Sequence, residues 1–431
     1  HRPYAAFRKK DFMRPLGFCP GEILLPRCDL SLWSVVACDQ FTSQPEYWAE
    51  VERIVGDAPS AYRMIFPEAY LDTVDFDEKI ASINRTMEEY LRQGLFEAYS
   101  DAMIYVERTL LDGSVRRGIL GLLDLEEYDY RKGSGSLVRA TEGTVLERIP
   151  PRVRIREHAP LESPHILVLI DDPGKTVAEP IRSRIPALEK LYDFDLMQGG
   201  GNIRGWLLDR KEQQRIQEAL AALADPAVFA EKYGVADRPL LLYAVGDGNH
   251  SLATAKECWT RLKSRLTPEE AAVHPARYAL VELGNLHDDS LKFEAIHRAV
   301  FDVDQGAFLA ALREYAASRR GDAPAQTVTV VTAEGRESLT IPHPDRTLAV
   351  GSIQAFLDQY LPAVGGKADY IHGEDVVCSL AQKGAVGILL PVMEKGDLFR
   401  TVILEGALPR KTFSMGEAPE KRYYLECRKI V

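Results

Sequence analysis

A strand-to-helix turn in the middle of the chain constrains the fold most. Residues 240–259, LLLYAVGDGNHSLATAKECW, begin with an apolar run, pass through two glycines and continue into an Ala-rich segment that favours helix. This pattern predicts a buried strand over 240–246 and a helix over 250 to about 263. Gly246 and Gly248 permit the positive φ that a tight turn requires. We therefore expect the glycine turn to open onto a cleft.

The first turn of the predicted helix would provide an anion site. Its backbone N–H groups lack partners within the helix, and the helix dipole is positive at this end. Phosphate is bound in this way without any basic side chain. Asp247 could orient a metal ion or a substrate hydroxyl, and His250 could donate a hydrogen bond to a phosphoryl oxygen. The other interpretation is that Asp247 or Asn249 only caps the helix and that His250 is a core histidine.

Composition excludes some classes of function. Of the 431 residues, 46% are hydrophobic and 27% are charged, which is the balance of an ordinary globular protein of about two to four domains. The formal net charge of −11 argues against a broad nucleic-acid or membrane surface. No apolar run approaches the ~20 residues of a membrane helix. Both the start HRPYAAFRKKDFMRPLGF, without the apolar centre of a secretory signal, and six scattered cysteines without a CxxC pair predict a cytoplasmic protein with reduced thiols.

The order of predicted elements favours a mixed α/β fold in three lobes. Residues 1–135 contain the predicted helix DFDEKIASINRTMEEYLRQGLF and the hairpin MIYVERTLLDGSVRRGILGLLDL, which turns at Asp112-Gly113. In residues 136–300 the predicted strands RVRIR, HILVLI, GWLLD and LLLYAV alternate with the helices EPIRSRIPALEKLYDF, RKEQQRIQEALAAL and SLATAKECWTRLKSRL. Residues 301–431 add the predicted helices QGAFLAALREYAAS and GSIQAFLDQYL and the strands TVTVVTA and GAVGILLPV.

Two glycine-containing segments resemble phosphate-binding motifs without completing them. In LVLIDDPGKTVAEP, the position where a P-loop requires its first glycine is Leu169, inside a predicted strand. We interpret this segment as a turn that ends the strand. In GGGNIRG, Arg204 occupies the third glycine position of the dinucleotide fingerprint. A hairpin is favoured there over an ordered ligand loop.

Three arginines alternate with apolar residues in RVRIR. On a strand, Arg152, Arg154 and Arg156 would share one face. Such a row could hold an anionic ligand. It could also be a solvated face paired with nearby glutamates. For charged residues in general, the solvated face is the favoured interpretation.

Two further segments carry candidate catalytic or binding residues. In RATEGT, Glu142 could act as a general base, because a carboxylate can accept the proton of a hydroxyl nucleophile. Near the end, LPRKTF places Arg410, Lys411 and Thr412 after a proline. This segment could be a phosphate-contacting loop or an ordinary basic turn.

Several of these motifs resemble a known family. VGDGNHSLATA resembles the DGHHRYETA signature of the bacterial family called domain of unknown function 1015. RATEGT with Arg148 is similar to its His-Glu-x-Thr segment and the arginine that follows. LKFEAIHRAV resembles its L-x-I-x-x-x-HR segment at His297 and Arg298, and LPRKTF resembles its late P-x-KST segment at Lys411 and Thr412. The four matches occur in the same order as in the family.

The turn of that family in turn resembles those of ParB-like partition proteins, sulfiredoxins and free-serine kinases. This resemblance implies a ParB/sulfiredoxin-like nucleotide-binding core within a larger chain, with nucleotide phosphates at residues 246–251. Asn249 and Ser251 replace a histidine and an arginine of the family pattern. The sulfiredoxin cysteine would fall at Asn249, which excludes sulfinic-acid repair. The acidic chain without a basic arm argues against DNA binding.

Together, the turn and the resemblance predict a nucleotide-dependent phosphotransferase that acts on a small hydroxyl metabolite, with free serine or phosphoserine as the leading candidate. ATP or ADP and Mg²⁺ are the expected cofactors, with Asp247 placing the metal, His250 stabilising the transferred group and Glu142 acting on the hydroxyl. The expected nucleotide- and phosphate-binding residues are Gly246, Gly248, Asn249, Ser251, Arg148, Arg298 and Lys411.

The alternatives are a non-catalytic nucleotide- or metabolite-binding regulatory protein and a turn with a purely structural role. If the resemblance extends to function, distant residues should converge near Asp247 and His250. The residues expected to converge there are Glu142, Arg148, His297 and Lys411.

Overall fold

The computed structural model describes residues 16–431 as a mixed α/β protein with several sheets. Residues 1–15, the start of the predicted N-terminal lobe, lie outside the described residues. Within residues 16–431, no helix has both the length and the apolar character needed to cross a membrane.

Twenty strands lie along the described residues. In chain order they are β1 (Phe18–Cys19), β2 (Gly21–Pro26), β3 (Phe96–Ala102), β4 (Ile104–Thr109), β5 (Val115–Asp124), β6 (Tyr128–Asp129), β7 (Val138–Arg139), β8 (Leu161–Glu162), β9 (Leu167–Ile170), β10 (Glu189–Asp195), β11 (Asn202–Leu207), β12 (Tyr243–Asp247), β13 (Tyr278–Asn285), β14 (Phe293–Phe301), β15 (Gln326–Thr332), β16 (Gly335–Ile341), β17 (Lys367–His372), β18 (Val386–Leu389), β19 (Phe413–Met415) and β20 (Arg428–Lys429).

The α-helices are distributed along the whole described chain. They are α1 (Leu30–Trp33), α2 (Pro45–Val55), α3 (Phe76–Arg92), α4 (Ile149–Arg156), α5 (Arg210–Leu223), α6 (Pro226–Tyr233), α7 (Asn249–Lys263), α8 (Pro268–Val273), α9 (Gln305–Ser318), α10 (Ala349–Val364), α11 (Glu374–Gln382) and α12 (Asp397–Glu405).

The described chain divides into two compact units. The first contains residues 16–140, 144–291 and 417–431, and the second contains 141–143 and 292–416. These limits differ from the three lobes expected from the sequence, because the chain leaves the first unit and later returns to it.

A mixed ten-stranded sheet forms the framework of the first unit. Its strand order is β10-β11-β4-β5-β13-β9-β12-β7-β6, with β1 paired to β5. The pairs β13–β9, β12–β7 and β6–β7 are parallel, and the others are antiparallel. The central strand β9, LVLI, is buried along its whole length, as expected for an apolar strand covered on both faces. Two small sheets, β2–β3 and β20–β8, complete this unit among the described residues.

The second unit contains a six-stranded sheet with the order β16-β15-β18-β14-β17, and β19 also pairs with β14. The strands predicted in TVTVVTA and GAVGILLPV are confirmed as β15 and β18, and the two predicted helices are confirmed as α9 and α10.

Most other local predictions for the first unit are confirmed. The helix predicted in 75–96 is α3, and the predicted hairpin at Asp112-Gly113 joins β4 to β5. GGGNIRG connects the antiparallel strands β10 and β11, as the hairpin interpretation required. The P-loop-like segment is a turn in which the Asp172 carboxylate accepts from the N–H groups of Thr176 and Val177.

Two local predictions were wrong. RVRIR is not a strand but part of α4, because prolines stand at the helix start and Ile149 and Val153 bury one helical face. The predicted helix in 179–194 is a 3₁₀ segment, Glu179–Ala187, followed by β10. Pro186 lies inside that segment and an α-helix does not continue through it.

The segment 417–431 completes the first unit. The Tyr424 N–H donates to the Val35 carbonyl at 2.8 Å, and Cys427 forms a bridge to Leu24. The buried Arg108 donates to the carbonyls of Pro419, Glu420 and Lys421. These contacts hold the segment that contains Lys421 and Tyr424 against the rest of the first unit.

Candidate functional site

The predicted strand, glycine turn and helix are confirmed, with the strand over Tyr243–Asp247 and not over 240–246. β12 ends at Asp247 and α7 begins at Asn249, with Gly248 between them at φ +87°. The N-cap residue of α7 is Gly248, which has no side chain to form a capping bond. The turn is partly exposed, and Ile166 packs against Gly248.

A cavity of about 350 Å³ lies in the first unit beside the first turn of α7. Ser251 and Thr254 line it from that helix, and Ile166 lines it from the sheet. Its other polar lining residues are Cys38, Glu68, Glu147, Arg148, Arg152, Arg156, Glu162, Ser163, His165 and Tyr424. Apolar side chains such as Phe66 and Met87 complete the wall. The cavity therefore combines apolar surface with a high density of charged groups.

Three arginines reach the cavity because they are spaced by one helical turn. Arg148 precedes α4, and Arg152 and Arg156 follow at intervals of four residues. Arg152 pairs with Glu68, and Arg156 lies 2.6 Å from Glu162. Arg148 is exposed and, within residues 16–431, makes no ion pair of this kind. Its guanidinium is therefore available to an anionic ligand.

Arg154 does not belong to this group. It lies on another side of α4 and pairs with Asp77. The expectation that Arg152, Arg154 and Arg156 share one face was wrong, because it assumed a strand where the chain forms a helix.

A chain of hydrogen bonds connects the first turn of α7 to the C-terminal segment. The Ser251 Oγ and His165 Nε2 atoms are 3.1 Å apart, and the His165 Nδ1 and Tyr424 Oη atoms are 3.0 Å apart. The Cys38 backbone N–H donates to the Tyr424 oxygen at 3.0 Å. His165 and Tyr424 are buried. Neither residue was among the candidates that the sequence motifs indicated.

Asp247 is paired with a cation. Its Oδ2 atom lies 3.3 Å from the Lys421 Nζ atom. A Mg²⁺ ion at this carboxylate would have to displace the ammonium group, and no cluster of three potential metal ligands occurs in the described part of the chain. The residues around Asp247 therefore do not form a preorganised magnesium site.

His250 is neutral at neutral pH in this environment. Burial, together with the charges of Arg152 and Arg148, lowers its pKa below the ordinary value of 6.5. Its Nε2 atom accepts a bond of 3.3 Å from the Val145 N–H, which leaves Nδ1 as the protonated nitrogen. The ring can thus donate one hydrogen bond but carries no positive charge.

The remaining candidate residues belong to the second unit. Glu142 and Lys411 are exposed, and the backbone of Lys411 has φ +53°. The His297 Nδ1 atom accepts from the Leu390 N–H at 3.0 Å. Arg298 is fully buried, and its guanidinium donates to Gln354 Oε1 and to backbone carbonyls.

These contacts indicate a structural role for Arg298 in place of the expected phosphate contact. The convergence of Glu142, His297 and Lys411 with Asp247 and His250 stays a prediction.

The sheet, the glycine turn and the arginine-lined cavity define a mixed α/β protein with a candidate anion site at a helix N-terminus. Residues 22–360 match the family described as "protein of unknown function (DUF1015)". Since the match covers more than half of the chain, this protein belongs to that family.

Comparison with curated proteins gave no match. A solved structure described as a conserved hypothetical protein from Pyrococcus furiosus is 11% identical with a TM-score of 0.33, over 72% of this chain and 94% of that chain.

Proposed function

We propose that the first unit binds a nucleotide in the cavity and transfers a phosphoryl group to the hydroxyl of a small metabolite, with free serine as the first acceptor to test. One observation carries this proposal. The exposed guanidinium of Arg148 and the Ser251 hydroxyl, in the first turn of a 15-residue helix, line the same cavity. Guanidinium groups and helix N-termini are both phosphate ligands.

Charge and shape support a nucleotide as the ligand. The lining contains three arginines and three glutamates. Arg152 and Arg156 are paired with Glu68 and Glu162, so the charge open to an anionic ligand is that of Arg148. The apolar part of the wall, including Phe66 and Met87, suits a nucleobase or another apolar portion of the ligand. The turn resembles those of ParB-like proteins and free-serine kinases, and this resemblance is a further reason to propose a nucleotide.

Phosphoryl transfer demands mainly positioning and charge stabilisation. Arg148 would supply charge, and the backbone of α7 would supply hydrogen-bond donors. His250 would donate through Nδ1–H, and Lys421, held by Asp247, would add a second positive charge. No step depends on a metal at Asp247.

A second candidate function is nucleotide or metabolite binding without turnover, in a regulatory role. The observation that favours it is that both proposed catalytic side chains of the turn already have partners. Asp247 is paired with Lys421, and His250 accepts from Val145. Binding without phosphorylation of any acceptor would select this candidate.

Calorimetry with a panel of nucleoside di- and triphosphates tests the binding site. Arg148→Ala should weaken binding about tenfold or more, because a hydrogen-bonded ion pair to phosphate is lost. Arg154→Ala is the matched control, since this arginine lies on α4, the helix that begins directly after Arg148, but pairs with Asp77 and does not line the cavity. Equal losses in the two variants, or no nucleotide binding by the parent protein, would contradict the proposal. Turnover with serine is measured on the same samples.

A further inference from the structure

Ser251 and His165 have the geometry of a nucleophile and its base. The 3.1 Å separation of Ser251 Oγ and His165 Nε2 is within hydrogen-bonding distance, and both residues line the cavity. On the other side of the ring, His165 Nδ1 lies 3.0 Å from the Tyr424 oxygen. The arrangement contains a hydroxyl, an imidazole and a third group that orients the imidazole.

The buried Tyr424 hydroxyl can hold His165 in the tautomer that carries its proton on Nδ1, with the phenol proton directed to the Cys38 sulfur. Its oxygen accepts from the Cys38 N–H and can accept a second hydrogen bond from His165 Nδ1–H. In that state Nε2 is unprotonated and faces the Ser251 hydroxyl. Burial raises the pKa of Tyr424 well above its ordinary value, so the phenol stays neutral and Tyr424 acts as a positioning residue.

The sheet holds this pair of residues in place. His165 precedes β9, and Ser251 follows β12 in the first turn of α7. The two strands are antiparallel neighbours, and Asp247 at the end of β12 is opposite Leu167 at the start of β9. The serine and the histidine therefore project from adjacent ends of two paired strands.

We propose that Ser251 accepts the phosphoryl group covalently and that His165 is its general base. This inference rests on the proposed phosphotransfer. Ser251 Oγ would attack the terminal phosphorus of a nucleoside triphosphate, and the hydroxyl proton would pass to His165 Nε2. The bond from this phosphorus to the bridging oxygen breaks, and the nucleoside diphosphate leaves.

In the second step, the oxygen of the acceptor hydroxyl attacks the phosphorus of phosphoserine 251. The bond from Ser251 Oγ to phosphorus breaks, and His165 returns its proton to Oγ. The proton of the acceptor hydroxyl is released to solvent, as in the net reaction of a triphosphate with an alcohol. The serine and the histidine are regenerated without another reactant.

The surroundings of Ser251 favour a phosphoryl over an acyl intermediate. The phosphoserine dianion would stand at the positive end of the α7 dipole. The guanidinium of Arg148 lines the same cavity and is free to pair with it. An acyl ester carries no such charge and would gain little from either group.

Mass spectrometry after incubation of the full chain with each nucleoside triphosphate tests the intermediate. The parent should gain one phosphoryl group, located at Ser251 by peptide sequencing. Ser251→Ala should lose both the label and the transfer to the acceptor, because the attacking hydroxyl is removed. Ser264→Ala is the control, since this exposed serine follows the same helix at its other end.

Two substitutions test the roles of His165 and Tyr424. His165→Asn should slow labelling about a hundredfold or more, as expected when a general base is removed. Tyr424→Phe should slow labelling less and shift the pH of half-maximal labelling, which a purely structural role would leave unchanged.

The results separate this inference from the proposed function. If the parent phosphorylates an acceptor but Ser251→Ala does so equally well, the covalent step is wrong and the phosphotransferase proposal stands. Overall inversion at phosphorus in the parent would also exclude the covalent step, because two in-line displacements give retention. It would leave the phosphotransferase proposal in place. If the parent binds no nucleotide, both proposals fail.

Discussion

Asp247 and His250 lie three positions apart in the chain, but each is engaged with a different part of the first unit. The Asp247 carboxylate faces the Lys421 ammonium, and the His250 ring faces the Val145 N–H. The pair with Lys421 gives Asp247 a new role, since the carboxylate can position a cation that the chain itself supplies. In the proposed site, the neutral His250 would act on phosphate as a hydrogen-bond donor and not as a counter-charge.

These roles predict a separation of turnover from affinity. Asp247→Ala and His250→Ala should each lower kcat about a hundredfold, because they position groups on the transferred phosphoryl. Their effect on nucleotide affinity should be smaller, since we propose that the α7 backbone and Arg148 hold the phosphates. Steady-state kinetics beside calorimetry provide the measurement. Asn249→Ala, at the buried first position of α7, is the comparison and should change affinity only modestly.

The residues of the turn could be predicted from the sequence because they are contiguous and their glycines carry a local signal. His165 had a weaker signal, a histidine directly before a buried apolar strand. Nothing in the sequence pattern indicates Tyr424 or Lys421, since both reach the site through long-range pairing of residues 417–431. Arg298 illustrates the opposite case, in which a match to a family motif marks a buried structural residue.

At the scale of elements, α4 decides which charges reach the cavity. Alternation of arginine with Val153 and Ile155 is compatible with a strand, and the strand prediction rested on it. The helix forms because prolines occupy its first turn, where no N–H is needed, and because Ile149 and Val153 are buried one turn apart. The prolines at the start of this segment were the sequence signal that favoured a helix over a strand. Long helices with a clear helical periodicity, such as α5, were not open to a strand interpretation.

The glycine turn before α7 gives an element-scale prediction. In Gly248→Val, a Cβ would lie 3.1 Å from Ile166 Cγ1 and 3.2 Å from Ile166 Cα, on a backbone at φ +87°. We expect loss of nucleotide binding and a decrease of about 1–3 kcal/mol in the free energy of unfolding. Gly56→Val is the control, because Gly56 also has positive φ but its Cβ would meet nothing within 4 Å.

Urea denaturation and calorimetry measure the two effects. The control should be destabilised and still bind nucleotide. If Gly248→Val folds and binds nucleotide like the parent, the phosphates are not at this turn.

At the scale of the whole molecule, buried ion pairs join distant parts of the first unit. The Glu162 carboxylate lies 2.8 Å from Arg428 and 2.6 Å from Arg156, and it accepts from the Leu280 N–H. Burial by itself raises the pKa of Glu162, but the charges of Arg428 and Arg156 outweigh it, and the pKa lies below the ordinary 4.5. The ionised carboxylate is thus part of the folded state.

This pair predicts an acid dependence of stability. A lowered pKa in the folded state gives stabilisation that is complete above 4.5 and is lost as the pH falls toward the lower folded value. Glu162→Gln should therefore flatten the dependence of the urea midpoint on pH below 4.5. At neutral pH it should cost about 3–5 kcal/mol, because the buried Arg428 and the half-buried Arg156 lose their partner.

The exposed Glu157→Gln, five positions earlier in the chain, is the matched control and should change neither quantity. If the urea midpoint depends on pH equally in the parent and in Glu162→Gln, the acid dependence of stability does not come from Glu162.

The return of the chain to the first unit has a consequence for biosynthesis. Residues 417–431 follow the entire second unit in the order of translation, yet they supply Lys421, Tyr424 and Arg428 to the first. On the ribosome, an emerging first unit therefore lacks these three side chains until residues 292–416 have been made. While this stretch of about three-tenths of the polypeptide is translated, the first unit is incomplete, because Glu162 lacks its Arg428 partner and His165 lacks the Tyr424 phenol.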